Sequence, residues 1–97
     1  MADVTLHAKT TALLLQDLQH ELIRRFGVTT LILTGYSTTG VVEGTLRDAR
    51  DQDYECVEVR DGCAAATAQA HDTCMDLVFP RMAWVASVDD VINSIRG

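Results

Sequence analysis

Residues 28–59 read VTTLILTGYSTTGVVEGTLRDARDQDYECVEV, and the hydrophobic pattern changes twice within this stretch. VTTLILTG (28–35) is rich in β-branched residues and Leu, which is typical of a buried strand. GVVEGTLRDARDQ (40–52) instead places its apolar side chains on one helical stripe. YECVEV (54–59) returns to strand character. A strand, a helix and a second strand in this order indicate a parallel βαβ unit.

The same alternation extends to both ends of the chain. Local signals mark the predicted helix ends: Gly27 as a left-handed cap, Thr67 as an N-cap, Pro80 as a stop, and Ser87 with Asp90 at capping-box spacing. The further predicted elements are a strand at 11–15 (TALLL), helices at 18–26 and 67–79, a strand at 82–87 (MAWVAS) and a helix at 87–95.

Four strands alternating with four helices predict an α/β fold, a small Rossmann-like parallel sheet with flanking helices in two or three layers. The length of 97 residues fits one domain, residues 1–97.

The net charge of −6 argues against a nucleic-acid platform, which needs clustered Lys and Arg. Since no apolar run is long enough for a membrane span or a signal peptide, we expect a cytoplasmic protein without membrane contact.

The chain has three cysteines, Cys56, Cys63 and Cys74. The number is odd, and no two lie two to four residues apart, which argues against a disulfide framework and against a zinc site. We therefore expect free thiols and no metal. Each thiol is explained most simply as a small buried hydrophobic side chain.

Ligands of open parallel sheets bind outside the carboxyl ends of the strands. Asp17 follows the first predicted strand and could act as a general base or only cap the next helix. In TGYSTTG (34–40), hydroxyls and glycines precede a helix, where backbone N–H groups can hold an oxyanion or a phosphate. A hydroxyl nucleophile needs a base within reach, and the sequence places no His nearby. Cys63 and His71 could also form a pair of nucleophile and base, but packing explains the placement of both residues more simply.

Several segments resemble the isochorismatase-like cysteine hydrolases. They are KTTALLLQDLQHE (9–21), GVTTLILTG (27–35), EGTLRDA (43–49) and DYECVEVRDGCAAAT (53–67). The resemblance implies hydrolysis of amide C–N bonds, or of a vinyl ether, by an Asp, a Lys and a Cys. The family Asp corresponds to Asp17. The family Cys position is occupied here by Val41, which has no nucleophile.

The family Lys falls in a gap, because QDLQHE runs directly into LIRRFGV and two family strands have no counterpart. A rival alignment makes Lys9 the family Lys and removes the amino-terminal third instead. We prefer the first alignment and expect one truncated domain. The family also has a non-proline cis peptide before its nucleophile, which would join Tyr36 and Ser37 here.

These features favour an isochorismatase-like protein without cysteine-hydrolase activity that keeps a ligand-binding or self-association role. One alternative is an active hydrolase of small amides that uses Asp17 with water or with Cys63. Another is a structural or regulatory partner of a full-length relative. No cofactor is expected, and the candidate contacts for a small-molecule ligand are Tyr36, Ser37, Thr38, Thr39 and Gly40.

The predicted topology also bears on assembly. Right-handed crossovers that step in one direction place their helices on one face of the sheet. The other face would then have only the carboxyl-terminal helix, yet the strands are apolar on both sides. We therefore expect a bare face and a homodimer or higher homo-oligomer that covers it.

Overall fold

The computed structural model describes Leu6, residues 11–14, Arg25 and residues 27–96. Four strands lie in this part of the chain: β1 (Thr11–Leu14), β2 (Thr30–Tyr36), β3 (Glu55–Ala64) and β4 (Trp84–Ala86). The predicted helix at 18–26 falls outside the described residues, Arg25 excepted.

Three helices are described. A π-helical turn, Thr38–Val42, leads into α1 (Glu43–Asp51). Helix α2 (Ala68–Thr73) continues into a π-helical turn, Cys74–Val78, and a 3-10 turn, Phe79–Arg81. Helix α3 spans Val88–Arg96. Within the described residues, no helix has the length and apolar character needed to cross a membrane.

All the strand pairs are parallel, and the order across the sheet is β1-β2-β3-β4. The α/β fold with a parallel sheet is therefore confirmed, and the strands step in one direction as predicted. The pairing of β2 with β3 shifts between Leu33, which pairs with Glu58, and Gly35, which pairs with Cys63. This irregularity places the carboxyl end of β3 beside the loop that follows β2.

Each face of the sheet has its own apolar cluster, because side chains alternate along a strand. On one face, Leu31 and Leu33 of β2 pack with Leu46 of α1 and with Met75 and Phe79. On the other face, the buried cluster consists of Leu6, Ile32, Val57, Val59, Ala86 and Val91. Helices α1 and α2 thus share a face, whereas α3 covers the other.

The expectation of a bare second face is wrong for the central positions. Ile32, Val57, Val59 and Ala86 are all buried within the single chain. Leu6 supplies the cover that the sequence argument did not foresee, and its backbone N–H donates to Ser94 Oγ of α3 at 2.8 Å. Burial of these four described positions therefore does not by itself require a partner.

The predicted helix starts at Thr67 and Ser87 are confirmed, whereas Pro80 does not stop its helix: it lies inside the 3-10 turn Phe79–Arg81. Thr67 Oγ1 accepts from the Ala70 N–H at 3.1 Å, and Ser87 with Asp90 forms a reciprocal capping box, with N···O distances of 3.0 and 3.2 Å. Gly27 has a φ of 70°, the left-handed conformation expected of a cap. Each such cap is worth about 1 kcal/mol, so local sequence fixes where these helices begin.

Candidate functional site

The loop after β2 contains the cis peptide bond that the resemblance implied, between Tyr36 and Ser37. The carbonyl oxygen of Ser37 then accepts two backbone N–H groups, from Gly40 at 3.1 Å and from Val42 at 3.0 Å. These two amides therefore close the turn on itself. They are not directed at a ligand, so the oxyanion-binding nest expected here has fewer donors than the sequence suggested.

Gly40 is held in this turn by a steric requirement. A Cβ atom at this position would lie 2.6 Å from Ser37 Oγ, well inside van der Waals contact. The Ser37 hydroxyl therefore packs directly over the Gly40 backbone. A larger residue at position 40 would force the Ser37 hydroxyl to move out of this contact.

Thr38 is fully buried, and its hydroxyl oxygen lies 2.7 Å from Nδ1 of His71. The conclusion that no His is near these hydroxyls is therefore wrong. The sequence reasoning missed this contact because His71 follows Thr38 by 33 residues, and only the packing of α2 against the β2 loop joins them. A hydroxyl without solvent exposure cannot meet a ligand, so the pair anchors the loop to α2.

The exposed side of the loop consists of Tyr36, Thr39, Gly40 and Val41. Val41 is 51% exposed, whereas its neighbour Val42 is buried in the core beside Leu46. Val41, which the resemblance assigns to the family Cys position, is therefore presented to solvent at the carboxyl end of the sheet. A ligand at this loop would meet the Tyr36 ring, the Thr39 hydroxyl and the Val41 methyl groups.

The three thiols are poor replacements for the missing nucleophile. Burial raises the pKa of Cys63 to about 12 and that of Cys56 to about 12, and it also raises the pKa of Cys74. Cys63 Sγ donates to the Leu33 carbonyl oxygen at 3.8 Å and does not pair with His71. Since the thiolate is the nucleophile, the raised pKa values favour the unreactive thiol form of all three side chains at neutral pH.

Glu58 is a buried acid that the sequence reasoning passed over. It lies in β3 opposite Leu33, it has no solvent exposure, and neither carboxylate oxygen has a hydrogen-bond partner. Burial raises the pKa of Glu58 to about 8, so its neutral form predominates at pH 7. The available signal was an acid within CVEV, a strand predicted to be buried, although the sequence did not show which face of the strand Glu58 occupies.

A cavity of about 700 Å³ opens beside β4, apart from the Tyr36–Val41 loop. Arg60 at its rim pairs with Asp76 at 2.6 Å and with Asp72 at 2.9 Å. Asp61, which also lines it, accepts the Val88 N–H at 2.8 Å. These charges are engaged with each other and with helix ends. Within the described part of the chain, no three His, Cys, Asp or Glu side chains are grouped to hold a metal ion.

Two candidate residues lie outside the described residues. Asp17 is the family acid in the preferred alignment, and Lys9 is the family Lys in the rival one. Because adjacent parallel strands end at the same edge of a sheet, we expect Asp17 to share a small pocket with the backbone near Gly40 and Val41, and this stays a prediction.

Comparison with known proteins agrees with this arrangement. The family model described as "Isochorismatase domain" matches residues 4–90. The chain is 38% identical over 79 residues to the isochorismatase family protein YecD of Escherichia coli O157:H7, covering 81% of this chain and 42% of that protein. Its fold is similar to that of an isochorismatase family protein from Burkholderia thailandensis, with a TM-score of 0.78, 31% identity and coverage of 80% of this chain and 41% of that one.

A second similar structure is an isochorismatase-like hydrolase from Alkaliphilus metalliredigens, with a TM-score of 0.74 and 27% identity over 77% of this chain and 41% of that chain. The chain thus spans about two fifths of the length of the relatives that it matches. The match to the family model and the identity to the Burkholderia structure cover most of its own residues. The chain belongs to the isochorismatase domain family.

Proposed function

We propose that this chain is an isochorismatase-family protein without cysteine-hydrolase activity that keeps a ligand-binding or self-association role. The observation that carries the proposal is Val41. It is exposed at the loop where the family resemblance requires a thiol, and its side chain can neither attack a carbonyl carbon nor be activated to do so.

The remaining nucleophiles support the same conclusion. Burial keeps the thiol of Cys63 protonated, and the hydrogen bond to Leu33 directs it at the backbone. Thr38 has an imidazole partner in His71 but no access to solvent. Ser37 and Thr39 have hydroxyls at the loop, yet neither pairs with an imidazole among the described residues. Among the described residues, covalent catalysis at this loop therefore lacks an activated group.

Ligand binding at the loop is supported by what remains exposed there. Tyr36 offers a large ring, and Thr39 offers a hydroxyl that can donate and accept. Such a surface suits a small molecule with an apolar part and a polar group. Small amides are the first candidates, because the family resemblance implies hydrolysis of amide C–N bonds.

The alternative is a working hydrolase of small amides, favoured by the family's hydrolase members. In that case, Asp17 would act as a base on water, since the described thiols are protonated.

Incubation with a panel of small amides, followed by detection of ammonia and carboxylate, separates the two functions. The proposal predicts no release, together with a shift of the thermal midpoint by a bound member of the panel. Turnover that disappears in Asp17→Asn would establish the alternative, and loss in Cys63→Ser would identify the thiol as the nucleophile.

A further inference from the structure

Helix α3 has a second apolar stripe that the fold covers only in part. Its buried residue, Val91, packs on the sheet. Val88, Ile92 and Ile95 are 37%, 40% and 48% exposed. At about 100° per residue, these three side chains fall within about 60° of one another on one flank of the helix. Ser94, which binds the Leu6 N–H, lies on the opposite flank. The stripe therefore lies on another flank than the side chains of Val91 and Ser94, although the Val88 backbone N–H is held by Asp61 at 2.8 Å.

The stripe is bordered by two opposite charges. Asp89 lies in the first turn of α3 and Arg96 in the last turn, and a spacing of seven residues puts both on the same side of the helix as Ile92. Both side chains are exposed, and neither forms an ion pair within the part of the chain that the structure describes. Two copies of such a stripe are complementary when they lie antiparallel, because the acid of each copy then faces the base of the other.

We propose that α3 is a self-association surface that pairs antiparallel with α3 of a second copy of this chain. A two-fold axis beside Ile92 places Val88 against Ile95 of the second copy and Asp89 against its Arg96, and each contact occurs twice. Parallel pairing would instead set Asp89 against Asp89. The charge pattern therefore selects the antiparallel arrangement and a copy of the same chain as the occupant.

The expected dimer is weak. Helix α3 has nine residues and is about 14 Å long, whereas a specific interface commonly buries about 800 Å² on each partner. Trp84 adds apolar surface, because it lies two residues before Ala86 on β4 and so shares the face that α3 covers. We expect reversible association that becomes evident as the protein concentration rises through the micromolar range.

Sedimentation equilibrium of the whole chain over a series of concentrations tests the pairing. The native chain is expected to associate, and Ile92→Asp to weaken the association at least tenfold. Leu77→Asp is the matched control, because Leu77 is also exposed but lies in the Cys74–Val78 turn on the other side of the sheet. It should leave association unchanged. A native chain that stays monomeric at the highest concentration, or equal weakening by both variants, overturns the inference.

A charge-reversal experiment tests the orientation. Asp89→Arg and Arg96→Asp should each weaken self-association, because each variant has like charges at both ends of the stripe. An equimolar mixture of the two should recover association as a heterodimer, since the acidic stripe of one meets the basic stripe of the other. Circular dichroism spectra confirm that each variant is folded. Folded variants whose mixture associates no better than either alone contradict antiparallel pairing.

This inference specifies the self-association role within the proposed function, and the two can fail separately. Amide turnover by a dimer that Ile92→Asp disrupts would refute only the absence of hydrolysis. A monomer without turnover would refute only the α3 interface.

Discussion

Glu58 is the residue whose chemistry conflicts most with its surroundings. Its pKa is about 8 in the folded chain, against an ordinary value of 4.5. Below about pH 4.5 both the folded and the unfolded chain hold the proton. As the pH rises from there towards 8, only the unfolded chain releases it, so the free energy of unfolding falls by up to about 1.4 kcal/mol per pH unit.

We therefore expect Glu58→Met to stabilise the protein at neutral pH by on the order of 2–3 kcal/mol and to remove this part of the pH dependence. Urea unfolding of both proteins at a series of pH values measures the effect. Glu55→Gln, which changes an exposed acid of the same strand, serves as the control and should keep the native slope. Parallel pH profiles for native protein and Glu58→Met would show that the Glu58 carboxyl is solvated.

Two glycines near the candidate site offer a matched comparison. A Cβ at Gly40 would collide with Ser37 Oγ, whereas a Cβ at Gly44 in α1 would meet nothing within 4 Å. Gly44→Ala should stabilise by up to about 1 kcal/mol through helix propensity. Gly40→Ala should destabilise by roughly 1–3 kcal/mol through overpacking.

Thermal or urea unfolding compares the two variants. Addition of Ser37→Ala to Gly40→Ala should recover part of the loss, because it removes the colliding oxygen. Equal effects at positions 40 and 44 would mean that the Thr38–Val42 turn is looser than described.

At the scale of elements, the π-helical turn Thr38–Val42 decides which valine faces solvent. Val41 is exposed, and Val42 is buried. A thiol introduced by Val41→Cys should therefore react with a thiol reagent at least tenfold faster than one introduced by Val42→Cys. The native thiols should add little background, since burial raises the pKa of all three.

Mass spectrometry of peptides labelled over a time course gives the two rates. Similar labelling of both introduced thiols would place the turn in another register. Position 41 would then no longer be distinguished from position 42 as the exposed residue that a ligand contacts.

Element prediction from the sequence succeeded where the cause was local. The caps at Thr67 and at Ser87 with Asp90 depend on residues within three positions of each other. The strand pattern of 30–36 and 55–59 depends on runs of buried apolar residues. The contact of Thr38 with His71 could not be read this way, because it depends on how α2 packs against the β2 loop.

Glu58 illustrates a second limit. Its strand was predicted, and the alternation of side chains in that strand was evident. An acid between two valines is usually assigned to a solvated face, however, and only the packing of α1 and α2 shows that this face is buried. The identity of the family position at Val41 came from the resemblance, since no periodicity distinguishes one helical valine from the next.

At the scale of the whole molecule, Leu6 changes the account of assembly. Together with Val91 of α3, it packs on the described β2, β3 and β4 positions of the face that was expected to be bare. Leu6→Ala should cost about 2 kcal/mol or more of unfolding free energy, because it opens a cavity in that cluster. Leu77→Ala, at an exposed site, should stay within about 0.5 kcal/mol of the native chain.

Chemical denaturation of these two variants provides the comparison. A small effect of Leu6→Ala would return the sheet face to the surfaces available for a partner. A large effect would mean that Leu6 is needed to cover the sheet face. The stripe on α3 would then remain the apolar surface proposed to bind a second copy of the chain.

The central claim, that this family member does not hydrolyse amides, is tested most directly by a single-turnover measurement. The protein is held in excess over each amide of a small panel, and ammonium is measured over hours, so that even one event per molecule is detected. We predict no ammonium above that of a heat-denatured sample. Stoichiometric release by the native protein that is absent in Asp17→Asn would contradict the claim.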